Sequence, residues 1–192
     1  MKAILLSAGY GTRLRPITDV LPKCLLPING HPLLEYWINL LFKAQVFPVL
    51  INLHYLSNIV KEWLSLTGYT DKIETAYEGS LLGTAGTLLK NRDFAGNGPV
   101  MLIHADNLSY FEPVDFINAH LNRPKDAAMT MMTFKTTTPE TCGIVKTDAN
   151  GMVEEFYEKV INPPGDCANA AVYIVEPEII DFLISLSKET ID

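Results

Sequence analysis

The most informative stretch of this sequence is Leu5-Leu6-Ser7-Ala8-Gly9-Tyr10-Gly11-Thr12-Arg13-Leu14-Arg15-Pro16, followed by Pro22-Lys23. The apolar run from Ala3 to Leu6 predicts a buried strand that leads into this loop. Its two glycines permit positive φ and a close approach of the backbone to a ligand. Exposed N–H groups followed by Arg13 and Lys23 suit a chain of phosphates. The pattern predicts a nucleoside triphosphate (NTP) bound by the first loop of an α/β domain; the alternative is a turn that contains two glycines.

The composition predicts a single cytoplasmic domain. The chain has 192 residues, of which 48% are hydrophobic, so it can bury one sizeable core. Its sequence contains no apolar stretch of membrane-spanning length and no signal-peptide pattern. Three widely spaced cysteines indicate reduced thiols, neither a disulfide framework nor a zinc cluster. The net charge of −7, from 15 basic and 22 acidic residues, argues against a nucleic-acid partner.

Apolar patterning alternates between strands and helices along the chain. Strands are predicted over residues 1–6, 46–53, 72–77, 99–104, 127–134 and 170–175, with a hairpin over 143–157 around Asn150-Gly151. Helices are predicted over residues 32–44, from a cap at residue 57 or 58 to residue 64, and over residues 87–91, 114–121 and 178–186. This order predicts an α/β fold with a mixed, mostly parallel sheet and helices on both faces. Trp37 is expected in the core rather than at a ligand.

Two further features fall at predicted strand ends, where open α/β sheets bind ligands. The stretch 78–87 is the second glycine-rich segment, and Asp106 follows a buried strand. A carboxylate in that position requires compensation, which a divalent metal next to phosphates would supply. The alternative for Asp106 is a helix N-cap or a turn residue. His54 and His104 are also at strand ends, but they are isolated and are expected to be structural.

Glu158-Lys159 and Asn169 are weaker candidates. The adjacent acid and base would suit a sugar hydroxyl and a second phosphate, and Asn169 could bind further hydroxyls. Taken alone, such a pair is more often a solvated surface ion pair, and the residues by themselves favour that reading. Two other nucleotide motifs are excluded. Leu14 replaces the third glycine of a dinucleotide-binding fingerprint, and the chain contains no Gly-Lys pair for a P-loop.

Residues 9–16 with Pro22-Lys23 resemble the signature loop of the sugar-phosphate nucleotidyltransferases. Five later stretches resemble further motifs of that family in the same order, so the likeness covers nearly the whole chain. These stretches are Leu82-Gly83-Thr84-Ala85-Gly86-Thr87-Leu88, Ala105-Asp106-Asn107, Cys142-Gly143-Ile144-Val145, Glu158-Lys159 and Asn169-Ala170-Ala171-Val172-Tyr173. The resemblance implies a Rossmann-like mixed α/β fold and transfer of a nucleotidyl group from an NTP to a sugar 1-phosphate, with Mg²⁺.

The resemblance also implies roles for individual residues. Arg13 and Lys23 would hold the triphosphate and Asp106 would bind the metal, which makes these three the catalytic set. The nucleotide would contact Leu6, Ala8, Gly9, Gly11, Thr12, Arg13, Lys23, Gly83, Thr84 and Gly86. The sugar phosphate would contact Asn107, Gly143, Glu158, Lys159 and Asn169. Residues up to about 110 would form the nucleotide half and residues from about 111 to 192 the sugar-phosphate half of one domain.

The chain departs from the family pattern in several places. The family usually has a second metal carboxylate beyond the last predicted helix, whereas this sequence stops at Asp192. Asp166 and Asp181 are not in a matching context. The resemblance therefore implies a C-terminally shortened member or a fragment of one. Such a chain is expected to bind NTP, turn over slowly and form a homodimer or dissolve poorly. More usual residues are also replaced at Ala8, Ala105, Cys142 and Val160.

The motif Leu-Gly-Thr-Ala-Gly at residues 82–86 resembles guanylyltransferases that act on mannose 1-phosphate. This favours GTP and mannose 1-phosphate as substrates. The alternatives are glucose 1-phosphate or a heptose 1-phosphate with another NTP. A protein of another class, a regulatory nucleotide-sugar-binding protein or fragment without efficient turnover, would keep the pocket and lack the second carboxylate.

Overall fold

The computed structural model describes residues 1–189, so the chain end at Asp192 lies outside the described residues. The strands are β1 Lys2–Leu6, β2 Pro27–Ile28, β3 His31–Pro32, β4 Val49–Leu53, β5 Ile73–Tyr77, β6 Val100–His104, β7 Met129–Lys135, β8 Gly143–Thr147, β9 Val153–Glu158 and β10 Cys167–Val175. The helices are α1 Leu33–Lys43, α2 Ser57–Leu66, α3 Gly83–Lys90, α4 Arg92–Ala95, α5 Pro113–Leu121 and α6 Pro177–Glu189.

Eight of these strands form one mixed sheet in the order β5-β4-β1-β6-β10-β8-β9, with β7 paired to β10. The strands β5, β4, β1 and β6 are parallel to one another. In their register, Leu6 at the end of β1 lies between Asn52 of β4 and His104 of β6. The loops that follow these parallel strands therefore start at one edge of the sheet, where ligands of open α/β sheets bind.

The other part of the sheet is antiparallel. The C-terminal part of β10 pairs with β6, and its N-terminal part pairs with β8 through Ala168 and Ile144. The pairing with β7 is irregular between Asn169 and Tyr173, which marks a bulge where β10 changes partner. Asn169 was expected just before this strand and instead lies inside it, because β10 begins at Cys167.

Helices cover both faces of the sheet, as predicted. One face packs against α1, α2 and α5 and the other against α3, α4 and α6. Ile4 and Leu5 of β1 are fully buried on opposite faces, which agrees with its continuous apolar sequence. Trp37 of α1 is 1% exposed, so its assignment to the core is confirmed. None of the described helices is long and apolar enough to cross a membrane.

Other predicted element starts are wrong as well. The second strand begins at Val49 and not at residue 46, because the N–H of Val46 bonds to the oxygen of Leu41 at the end of α1 and Pro48 has no N–H for the sheet. The helix predicted over 87–91 begins at Gly83. Gly83 has a φ of 70°, a left-handed conformation that glycine adopts without strain, and the residues after it form the first turn of α3 instead of a loop before the helix.

The end of α1 provides a test of local conformation. Gln45 has a φ of 58° and is exposed, and the N–H groups of Gln45 and Val46 bond to the oxygens of Phe42 and Leu41. This is the hydrogen-bond pattern in which glycine is favoured. Gln45→Gly should raise the free energy of unfolding by about 1 kcal/mol because it removes left-handed strain. Urea denaturation measures this difference.

Lys43→Gly is the matched control, because the same residue is introduced two positions earlier, inside α1. It should lower the free energy of unfolding by about 1 kcal/mol. A loss of stability in Gln45→Gly as well would contradict the strain at residue 45.

Candidate active site

A cavity of about 640 Å³ opens at the carboxyl edge of the parallel strands. Its wall is formed by the first loop, the start of α3 and the residues that follow β6. Ten of the predicted site residues lie in the wall, namely Leu6, Ala8, Gly9, Gly11, Thr12, Arg13, Lys23, Gly83, Thr84 and Asp106. Six predicted residues lie outside it, namely Gly86, Asn107, Gly143, Glu158, Lys159 and Asn169. The structure thus brings all of the predicted nucleotide residues except Gly86 together around one volume.

The first loop is held in a compact turn. Gly11 has a φ of 64°, and its oxygen accepts hydrogen bonds from the N–H of Leu14 at 2.9 Å and from the hydroxyl of Thr18 at 2.8 Å. The two arginines of the loop differ. Arg15 pairs with Asp19 at 3.2 Å, whereas Arg13 forms no ion pair with a described residue. Arg13 is therefore the loop cation whose charge remains available to an anion in the cavity.

Lys23 and Asp106 meet in the cavity wall, although 83 residues separate them in sequence. Nζ of Lys23 is 2.8 Å from Oδ2 of Asp106, and the two side chains are 23% and 45% exposed. Asp106 is not a helix N-cap, because the next helix begins at Pro113. A cation and a carboxylate therefore lie next to each other in the same cavity wall as the first loop.

The donor set permits a magnesium ion bound by one protein carboxylate. Mg²⁺ commonly binds through one or two carboxylates together with substrate phosphates and water. Asp106 offers such a carboxylate in the cavity wall. The described residues contain no cluster of three or more His, Cys, Asp or Glu side chains that could hold a metal by themselves. A metal here would therefore depend on phosphate oxygens for most of its ligands.

A buried polar network joins the two glycine-rich segments. Oδ1 of Asn52 accepts a bond of 2.6 Å from the N–H of Ser7, and Nδ2 of Asn52 donates to Oε1 of Glu78 at 3.1 Å. The hydroxyl of Thr87 donates to the same Glu78 oxygen at 2.6 Å. Glu78 is 1% exposed. Its other oxygen, Oε2, is buried without a partner among the described residues. Asn52 and Glu78 both line the cavity and were not predicted as site residues.

Two further wall residues limit the chemistry of the site. Nε2 of His104 is 3.0 Å from the hydroxyl of Thr84, and burial lowers the pKa of His104 while the nearby Asp106 carboxylate opposes that change. His104 was expected to be purely structural, but it lines the cavity. Burial raises the pKa of the Cys24 thiol to about 12, so this thiol stays protonated and is no nucleophile at neutral pH.

The predicted sugar-side residues lie on the antiparallel strands. Gly143 and Glu158 are opposite each other in the β8–β9 pair. A Cβ at residue 143 would be 2.5 Å from Cζ of Phe156 and 2.7 Å from Oε2 of Glu158, so a larger residue there would displace the ends of these two side chains. Nζ of Lys159 is 3.0 Å from Oε1 of Glu158, and both side chains are more than half exposed. This geometry is that of an ordinary surface ion pair, which was the alternative for Glu158 and Lys159.

Asn169 and Asn107 connect this region to the cavity. Nδ2 of Asn169 donates to the Tyr173 hydroxyl at 2.6 Å, and the Tyr173 ring lies edge-on to His104 with centroids 6.4 Å apart. Nδ2 of Asn107 donates to the oxygen of Ala170 at 3.0 Å, at the bulge of β10. Burial raises the pKa of Tyr173, which therefore remains a neutral phenol at physiological pH. Sequence reasoning did not single out Tyr173 as a site residue.

Known structures share this architecture. The crystal structure of an apo UDP-glucose pyrophosphorylase superposes with a TM-score of 0.77 over 96% of this chain and 79% of that chain, at 18% sequence identity. At this identity the likeness establishes the fold alone. The chain has the nucleotidyltransferase fold, with its cavity at the carboxyl edge of the parallel strands.

The chain belongs to the nucleotidyl transferase family, whose model matches residues 2–191. It is 32% identical over 203 residues to the UTP–glucose-1-phosphate uridylyltransferase of Synechocystis, covering 96% of this chain and 51% of that protein. It is 31% identical over 200 residues to mannose-1-phosphate guanylyltransferase 1 of Arabidopsis thaliana, covering 99% of this chain and 55% of that protein. The chain thus spans about half the length of the curated relatives it matches.

The conformation of the first loop can be tested through its glycines. An added Cβ at Gly11 would be 2.9 Å from Cγ2 of Thr18 at a φ of 64°, whereas a Cβ at Gly9 has no atom within 4 Å. Gly11→Ala should therefore lower the free energy of unfolding by about 2 kcal/mol through strain and crowding. Gly9→Ala is the control and should change it by less than about 0.5 kcal/mol. Equal losses in thermal or urea unfolding would show that the loop does not have this conformation.

Proposed function

We propose that this protein transfers a nucleotidyl group from an NTP to a sugar 1-phosphate, releasing pyrophosphate. The observation that carries the proposal is the grouping of Arg13, Lys23 and Asp106 around a cavity bordered by two glycine-rich segments. The family match and the names of the relatives support the reaction class. The nucleotide would lie between the first loop and the start of α3, with its phosphates toward Arg13 and Lys23.

The reaction requires charge neutralisation more than proton transfer. An oxygen of the sugar phosphate attacks the α-phosphorus, the bond from that phosphorus to the bridging oxygen breaks, and pyrophosphate leaves with the electron pair. The nucleophile is already an anion, so no general base is needed. Arg13 and Lys23 would neutralise the negative charge and fix the in-line geometry. Asp106 would hold Mg²⁺, which would supply further neutralisation at the phosphates.

We propose GTP and mannose 1-phosphate as the substrates. The stretch 82–86 resembles that of guanylyltransferases, and the Arabidopsis relative carries this specificity in its name. The Synechocystis relative is named for UTP and glucose 1-phosphate, and its identity to this chain is similar. The test is pyrophosphate release by the purified chain with each pair of four NTPs and mannose or glucose 1-phosphate. GTP with mannose 1-phosphate should give the highest kcat/KM.

A higher kcat/KM for another pair would overturn this substrate assignment and keep the reaction class. NTP binding without pyrophosphate release for any pair would favour a regulatory nucleotide-binding protein. Absence of NTP binding in titration calorimetry would contradict the proposed function altogether.

The role of Asp106 is tested by removing its charge and keeping its shape. Asp106→Asn should lower kcat by about 100-fold or more, because the metal site is lost and Lys23 loses its partner. Asp19→Asn is the control, since Asp19 also forms an ion pair, with Arg15, but lies outside the cavity wall. It should keep kcat within about twofold. Wild-type activity of Asp106→Asn at limiting Mg²⁺ would exclude Asp106 as a metal ligand.

The sugar-side role of Lys159 is tested by separating the two Michaelis constants. Lys159→Ala should raise the KM for sugar 1-phosphate about tenfold and leave the KM for NTP nearly unchanged, as expected for a lost phosphate contact. Lys135→Ala is the control, because Lys135 also forms an exposed ion pair, with Asp166 at 3.3 Å. Loss of NTP affinity with sugar affinity retained would instead place Lys159 on the triphosphate.

A further inference from the structure

Tyr10 lies between the two glycines of the first loop but is not part of the cavity wall. Its hydroxyl is 2.9 Å from Nε2 of His54, and the two rings are edge-on with centroids 5.3 Å apart. His54 directly follows the last residue of β4. The contact therefore joins the middle of the first loop to the neighbouring parallel strand.

His54 also contacts the start of the second glycine-rich segment. Its Nδ1 is 2.7 Å from the backbone oxygen of Glu78. A carbonyl oxygen only accepts, so Nδ1 carries the proton, and in the neutral ring Nε2 accepts from the hydroxyl of Tyr10. The N–H of Glu78 donates to the oxygen of Leu53 at 2.8 Å. The backbone of Glu78 is thus held on both sides by consecutive residues at the end of β4.

We propose that His54 is a positioning residue that couples the two nucleotide-binding segments. It acts through Tyr10 on the first loop and through the backbone of Glu78 on the segment that leads into α3. The inference rests on the proposed function in one respect, because it takes the NTP to lie against both segments. Gly9, Gly11 and Gly83 leave these segments with more backbone freedom than other residues would. A fixed link between them lowers the entropy that is lost when a ligand orders both.

The binding test compares three single variants with the wild type. Both Tyr10→Phe and His54→Phe keep an aromatic ring. Tyr10→Phe removes the hydrogen bond between residues 10 and 54, and His54→Phe also removes the bond to the backbone oxygen of Glu78. Tyr55→Phe is the matched control, because its ring lies 5.4 Å from that of Tyr10 and its hydroxyl has no hydrogen bond to a described residue. Tyr10→Phe and His54→Phe should raise the Kd and KM for NTP about three- to tenfold, the range expected for one or two hydrogen bonds.

The same variants should leave the KM for sugar 1-phosphate unchanged, and Tyr55→Phe should behave as wild type. His54→Gln retains a donor and an acceptor and should recover part of the NTP affinity. The double variant Tyr10→Phe with His54→Phe should be no weaker than His54→Phe alone, because both changes remove the same link. If the wild type binds NTP and both Tyr10→Phe and His54→Phe bind it with unchanged affinity, the proposal is overturned. The proposed function would then remain intact.

Hydrogen–deuterium exchange of the free protein tests the coupling without any nucleotide. Removal of the ring nitrogens in His54→Phe should raise exchange in residues 7–14 and in residues 78–86 together, while Tyr55→Phe should raise neither. An increase in only one of the two segments, or in neither, would overturn the coupling even if the protein proved to bind no NTP.

Discussion

The hydrogen bonds of the Asn52 side chain fix the geometry on which the site depends. Asn52 lies at the register position next to Leu6, so its amide reaches the N–H of Ser7 at the start of the first loop and the carboxylate of Glu78 beyond β5. Each partner is buried, and a buried polar group without a partner costs about 1–3 kcal/mol. The network therefore favours one arrangement of the two segments, with the cavity between them.

Charge is distributed unevenly around this cavity. The protein carries a net charge of −7, yet Arg13 and Lys23 both lie in the cavity wall, where Lys23 pairs with Asp106. Local convergence of cations, and not the net charge, determines whether a polyphosphate can bind. Under the proposed function, a triphosphate would compete with Asp106 for Lys23 and would leave the carboxylate to a divalent cation. One ion pair would then link nucleotide binding to metal binding.

The sequence predicted the features that depend on local patterns. The buried strand before the first loop, the mixed sheet with helices on both faces and the meeting of residues 6–13 with Gly83 and Asp106 were all predicted, because parallel strands place their carboxyl ends at one edge. The start of α3 was missed, since glycines usually indicate a loop and here occupy its first turn.

The remaining misses concern contacts between residues far apart in sequence. No local pattern shows that Asn52, Glu78 and Thr87 share one buried network, or that His104 faces Thr84. The one available signal was a polar residue at the end of a buried apolar strand, which applies to Asn52, His54 and His104 alike. That signal identifies residues near the site, but it does not distinguish a wall residue from a positioning residue.

Under the proposed function, one nucleotide binds against both glycine-rich segments at once. The most direct test of this arrangement is hydrogen–deuterium exchange of the wild-type chain with and without saturating GTP and Mg²⁺. GTP should protect residues 7–14 and residues 78–86 together, with little change in the β8–β9 hairpin until mannose 1-phosphate is added. Protection of only one segment, or of neither at a GTP concentration that saturates binding, would contradict this arrangement.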